Sequence, residues 1–215
     1  MIPIFNVNLL SSTAWETTPS FFNANYASFF FIFGATFFTV PFFFIFLQPN
    51  RTFFERDCVV VRFGSCRSYW KSRTLIIALE SAIYVLFLYL LMFLRAVYFG
   101  QSARFFEGIA FLLKAAFSQM AVFFLLAMIF CFCSYLTHHT VLAFACAYFF
   151  VASDYTVRQT GLGVELFALR AIALTPDSMR YYVPCLLPVL LLDLLFYAFS
   201  FIFVESRDRL QRKVT

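Results

Sequence analysis

Apolar residues in this chain fall into five long runs, at about 27–48, 74–98, 120–136, 140–157 and 184–204. Each comes near the roughly 20 residues that a helix needs to cross about 30 Å of hydrocarbon. The pattern predicts an all-α polytopic membrane protein of about five spans. The fourth run is short for a bilayer, so tilt or local thinning is expected there. Gly34 and Pro41 interrupt the first run, which membrane helices tolerate, and a kink is expected at Pro41. Glu80 sits near the inner end of the second run and Arg95 near its outer end, where both side chains can snorkel to water. Asp193 lies mid-way along the last run, in LLLDLLF, where an acid costs roughly 2.5 to 3.5 kcal/mol to insert. It must face another helix, as a structural hydrogen-bond donor or as part of a substrate path. Glu80 and Asp193 are the candidate intramembrane polar site.

The stretches between the runs set the rest of the layout. Residues 1–25 carry no Lys or Arg and read as an outward tail, with Trp15, Phe21, Phe22 and Tyr26 as an aromatic belt. That tail lacks the basic start of a signal peptide, and its apolar pieces are too short to span. Residues 101–119 form a short outward stretch that lies in the interface or extends the next helix. Thr137–Thr140 make an inner turn. The outer segment 153–183 has zero net charge, and Leu162, Leu166, Leu169 and Ala173 recur at helical spacing. An amphipathic helix on or in the outer leaflet is expected there. Residues 205–215 form a basic inner tail.

The main polar interruption is residues 49–73, PNRTFFERDCVVVRFGSCRSYWKSR, between the first two runs. Asn50 can cap a short helix whose apolar stripe is Phe53, Phe54, Cys58 and Val61, with Arg51, Glu55, Arg56 and Arg62 largely off it. Gly64 is placed to end that helix and Ser65 to cap the second span. Tyr69 and Trp70 are expected at headgroup level, with Lys71 and Arg73 reaching lipid phosphates.

Composition narrows the class. The chain is 63% hydrophobic and 13% charged, about half the charge of an ordinary globular domain. Its +5 net charge invites a nucleic-acid reading, yet ten of the 16 Lys and Arg residues lie in 49–73 and the tail. Charge gathered at one membrane face is topology, and it places both segments in the cytoplasm, with the N-terminus outside. Six cysteines are scattered, four of them in apolar runs, and read as small hydrophobes. Cys131 and Cys133 point roughly 200° apart on a helix, so with His138 and His139 they cannot converge on a metal without a partner chain. The chain contains no Gly-x-x-x-x-Gly-Lys, His-Glu-x-x-His or Gly-x-Ser-x-Gly, so neither ATP hydrolysis nor another enzymatic activity is expected of it, and no cofactor is implied.

The run Val59-Val60-Val61-Arg62-Phe63-Gly64-Ser65-Cys66-Arg67-Ser68-Tyr69-Trp70 resembles the R-[FY]-G-S-x-R-x-x-W segment of small permease subunits of bacterial ABC exporters, the bacteriocin-export and lantibiotic-immunity group. In that family the segment lies at the cytoplasmic face and couples to a separate ATPase subunit. The resemblance implies a coupling interface at Arg62, Gly64, Ser65, Arg67 and Trp70. Phe53, Phe54, Glu55, Arg56 and Phe63 are the neighbouring candidates for docking contacts. Such permeases have six spans, both termini inside. Here the first would have to precede Trp15, where no apolar run is long enough.

The expected function is therefore export of a hydrophobic or amphipathic substrate, a peptide above all, across a bacterial plasma membrane. The expected partners are an ATP-binding cassette ATPase, a second permease copy or related chain, and the bilayer, with no nucleic acid. The alternatives are a membrane scaffold whose basic loop holds anionic lipid, and an ion-coupled secondary transporter.

Overall fold

With no water to bond to, backbone polar groups in hydrocarbon must be satisfied within their own segment, so a run this apolar becomes a helix. The computed structural model describes residues 30, 34–54, 66–100, 102–137, 139–159, 171–172 and 182–214, and every regular element among them is helical. In chain order these are α1 (Val40–Phe54, entered through a π-helical turn Ala35–Thr39), α2 (Cys66–Tyr98), α3 (Ser102–Glu107), α4 (Ile109–Thr137), α5 (Thr140–Gln159) and α6 (Tyr182–Val214). Four of them, α2, α4, α5 and α6, are long and apolar enough to cross a membrane, and the chain is a multi-pass membrane protein. The first expected span is represented by a shorter apolar helix, Ala35–Gln48.

Helix α4 is the hub. A helix packed on all sides needs no polar face, and 67% of its membrane window is buried, against 33% or less for the other three. Lipid tails are as apolar as leucine, so helices associate in a bilayer through close packing rather than hydrophobic exclusion. Small residues allow it. Ala143, Ala147 and Val151 line α5 at four-residue spacing and are fully buried, while Ala115, Ser118 and Ala127 do the same for α4. Aromatic rings fill the wider gaps. Phe43 of α1, Tyr84 of α2 and Phe123 of α4 meet with ring centroids 4.7 to 5.2 Å apart. The next residue of α1, Phe44, touches Phe130 of α4 and Phe144 of α5, both at 5.4 Å.

The outward surfaces are as apolar as the interior. On α2, Leu75, Leu79, Ile83, Leu86, Phe87, Leu90 and Leu94 are 52% to 63% exposed; Leu187, Leu191, Leu194, Leu195 and Ile202 of α6 are 54% to 65% exposed. Faces of this size suit lipid.

Several boundaries differ from the sequence expectation. Pro41 has no N–H for the Phe37 carbonyl and crowds it. The expected kink takes the form of the π-turn just before it, where Val40 N–H bonds to Ala35 O. The Tyr84 hydroxyl donates to Thr39 O at 2.7 Å and braces that turn. Helix α1 then continues through Pro49 and Asn50 to Phe54, so Asn50 lies inside a helix and does not cap a separate one. Helix α2 begins at Cys66, directly after the expected cap Ser65 and eight residues ahead of its apolar run, and α4 begins at Ile109, so much of the 101–119 stretch extends that helix. Helix α6 runs to Val214, so the expected tail is helical. Helix α2 ends where expected: Gly100 takes a left-handed φ of 69° and its N–H bonds to Val97 O at 2.9 Å. The N-terminal tail, its aromatic belt, Glu55–Ser65 and Leu162–Leu169 lie outside the described residues.

Candidate functional site

Three contacts fix how α2, α4 and α6 align at the end of the bundle where the basic segment enters. Arg73 Nη2 donates to Cys131 Sγ at 3.5 Å, joining α2 to α4. Phe132 of α4 lies edge-on to Phe199 and Phe203 of α6, at 5.4 and 5.7 Å. The Arg67 guanidinium stands 5.3 Å from the Phe201 ring, joining α2 to α6. Residues 67–73, 131–134 and 199–203 therefore form one layer.

Within that layer the buried side chains are polar to an unusual degree. Trp70 is 2% exposed, Arg73 5%, Ser134 2% and Ser200 0%. A second polar layer lies deeper. Glu80 follows Arg73 by seven residues on α2, and Asp193 precedes Ser200 by seven on α6, so each acid sits about 10 Å further in at 1.5 Å per residue. Seven residues is close to two full turns, so each pair shares one face of its helix. Glu80 is 4% exposed and Asp193 8%, and both faces turn toward the bundle. The result is a polar seam of two heptad-spaced ladders, Arg73 with Glu80 and Ser200 with Asp193, set against an α4 that is almost wholly apolar between Val122 and Phe130.

Leaving a polar group unpaired in such a place costs about 1–3 kcal/mol. Trp70 Nε1, Asp193 Oδ1 and Ser200 Oγ have no hydrogen-bond partner among the described residues.

The predicted site residues divide. The structure brings Glu80 and Asp193 to one depth without a hydrogen bond between them among the described residues. Glu80 is not at an edge where it could snorkel; it is the fifteenth of 33 helical residues and buried. Trp70 and Arg73, expected at the headgroups, are buried too, because the early start of α2 carries them against α4. Arg67 is exposed and rests on Phe201. The backbone of Phe53 and Phe54 ends α1. Glu55, Arg56, Arg62, Phe63, Gly64 and Ser65 lie outside the described residues.

Sequence reading missed a clamp at the opposite end. Ser118 Oγ donates to Ala171 O at 3.1 Å and Gln119 Nε2 to Ile172 O at 3.0 Å, all four residues being fully buried. The described part of the expected interfacial helix is thus held inside the protein rather than laid on a leaflet. The signal was Ser118-Gln119 at the edge of an apolar run. Neighbouring thiols also went unseen: Cys133 of α4 and Cys146 of α5 are near each other across the hairpin. Among the described residues no three His, Cys, Asp or Glu side chains stand together as metal ligands.

No protein-family model matches the chain, and no curated protein or solved structure does either.

Proposed function

We propose that this chain is the permease subunit of an ABC-type exporter in a bacterial plasma membrane, carrying a hydrophobic or amphipathic substrate such as a peptide, with residues 49–73 as the cytoplasmic element that couples to a separate ATPase. The observation that carries the reading is the anchoring of α2. The helix begins inside the segment that resembles the permease motif, and its first turns are pinned in the bundle by Trp70 and by the Arg73–Cys131 bond. A push on residues 55–65 would therefore reach the membrane through one 33-residue helix instead of dissipating in a loop. The packing of α4 on every side supports a substrate path between two permease chains, not through one.

The buried acids favour a second reading, ion-coupled secondary transport, because intramembrane carboxyls commonly mark ion routes. One experiment separates the two. The intact chain is purified from its native membranes in mild detergent, as wild type and with Arg62→Ala and Arg67→Ala combined. The coupling reading expects an ATP-binding cassette ATPase to co-purify with the wild type and to be lost from the double variant. Purification of the wild type alone, with ion-gradient-driven transport in vesicles, would favour the second.

A further inference from the structure

The three unpartnered atoms of the seam share a property that decides what can satisfy them. Their side chains, Trp70, Asp193 and Ser200, are 2%, 8% and 0% exposed, so neither an acyl chain nor the surface of a neighbouring protein reaches them. Whatever bonds to them must be small enough to sit between packed helices. It must also both donate and accept, since an indole N–H only donates and a carboxylate oxygen accepts. Water has both properties, and buried water with two to four polar partners is the ordinary remedy for such groups.

Their arrangement gives a direction. Trp70 and Ser200 lie in the layer nearest the basic segment, level with the exposed Arg67. Asp193 lies about 10 Å deeper on the same α6 face as Ser200. Three or four hydrogen bonds of about 2.8 Å cover that distance, starting from the layer in which the Arg73 guanidinium bonds to Cys131. Leu194 and Leu195, about 100° and 200° around α6 from Asp193, are 65% and 61% exposed and purely apolar.

We propose that the seam between α2, α4 and α6 is a hydrated inlet, holding water from the basic end of the bundle to the Asp193 carboxyl. The inlet does not depend on a partner ATPase. It gives the acid of the last span an aqueous contact on one side of the membrane only.

The test places single cysteines at Ser200, Asp193 and Leu194 in a chain whose six native cysteines are replaced by serine or alanine, in membrane vesicles. The probe is hydroxyl radical, formed from water by X-ray radiolysis, which is as small as water and arises in place from any water held beside a side chain. The inlet requires Ser200→Cys and Asp193→Cys to react at least about tenfold faster than the lipid-facing Leu194→Cys. Equal rates at all three would overturn it. Should the cysteine-free chain fail to fold, the native cysteines are kept and Trp15→Phe leaves Trp70 as the sole tryptophan. A rise in Trp70 fluorescence when H2O is replaced by D2O supports the inlet. Quenching by brominated acyl chains with no such rise contradicts it.

Discussion

Arg73 and Cys131 meet across two helices, guanidinium to thiol at 3.5 Å, with both side chains less than a tenth exposed. A thiol is a weak acceptor for so strong a donor. Cys131→Ala removes the acceptor and is expected to cost about 1 kcal/mol, while Cys131→Ser keeps an acceptor and costs less. Arg73→Met removes the same bond and also leaves the buried Glu80 carboxyl without its neighbouring cation, so it is expected to cost more than Cys131→Ala. Tryptophan-fluorescence melting in detergent reads all three, and an unchanged melt for Arg73→Met would mean that Arg73 does not pin α2 in the bundle.

Tyr84 ties α2 to the π-turn ahead of Pro41 through its 2.7 Å bond to Thr39 O. Tyr84→Phe keeps the ring contacts with Phe43 and Phe123 and loses only the hydroxyl, for about 0.5–1.5 kcal/mol. Phe123→Ala, which empties the centre of the ring cluster, should cost about 3–5 kcal/mol. Melting of the two variants side by side would show the ordering reversed if the hydroxyl, not the rings, dominates.

At the other end of the bundle, Gln119→Leu combined with Ser118→Ala leaves the carbonyls of Ile172 and Ala171 without their side-chain donors. Hydrogen exchange at the peptide containing Ala171 and Ile172 is expected to speed up, while exchange in the α4–α5 hairpin stays unchanged. Unaltered protection at 171–172 would show that the clamp contributes little.

The contact of Arg67 with Phe201 and its proposed part in ATPase docking can be separated. Phe201→Leu removes the ring under the guanidinium and is expected to lower stability by about 0.5–1 kcal/mol, with ATPase association intact. If that variant lost the ATPase as well, Arg67 would act through its place on α6 instead of through a partner contact.

The sequence was most informative where polarity and membrane depth coincide. The Thr137–Thr140 turn separates two apolar runs, and α5 starts at Thr140 as its spacing predicts. Tyr98 ends α2 because Gly100 follows it. Legibility failed where a neighbour supplies what the local sequence lacks. Residues 66–73 read as the start of a helix lying at the headgroups because they are basic, yet Trp70 and Arg73 are drawn into the bundle by α4. Gln119 reads as the edge of an outer stretch, yet Ile172 O accepts its amide and lets α4 continue inward past it. The seam as a whole was half visible: a mid-span acid announces a helix contact, whereas its alignment with Ser200, Trp70 and Arg73 depends on how three helices register.

The coupling role proposed for residues 49–73 requires them to lie on the cytoplasmic side of the membrane. Its most direct measurement is labelling of Cys58 and Cys66, the two cysteines of that segment, with a membrane-impermeant maleimide in intact cells and in inside-out vesicles. Modification in the vesicles and none in the cells is the predicted result. Modification in the cells would place the segment outside, beyond reach of any cytoplasmic ATPase, and contradict the coupling role assigned to it.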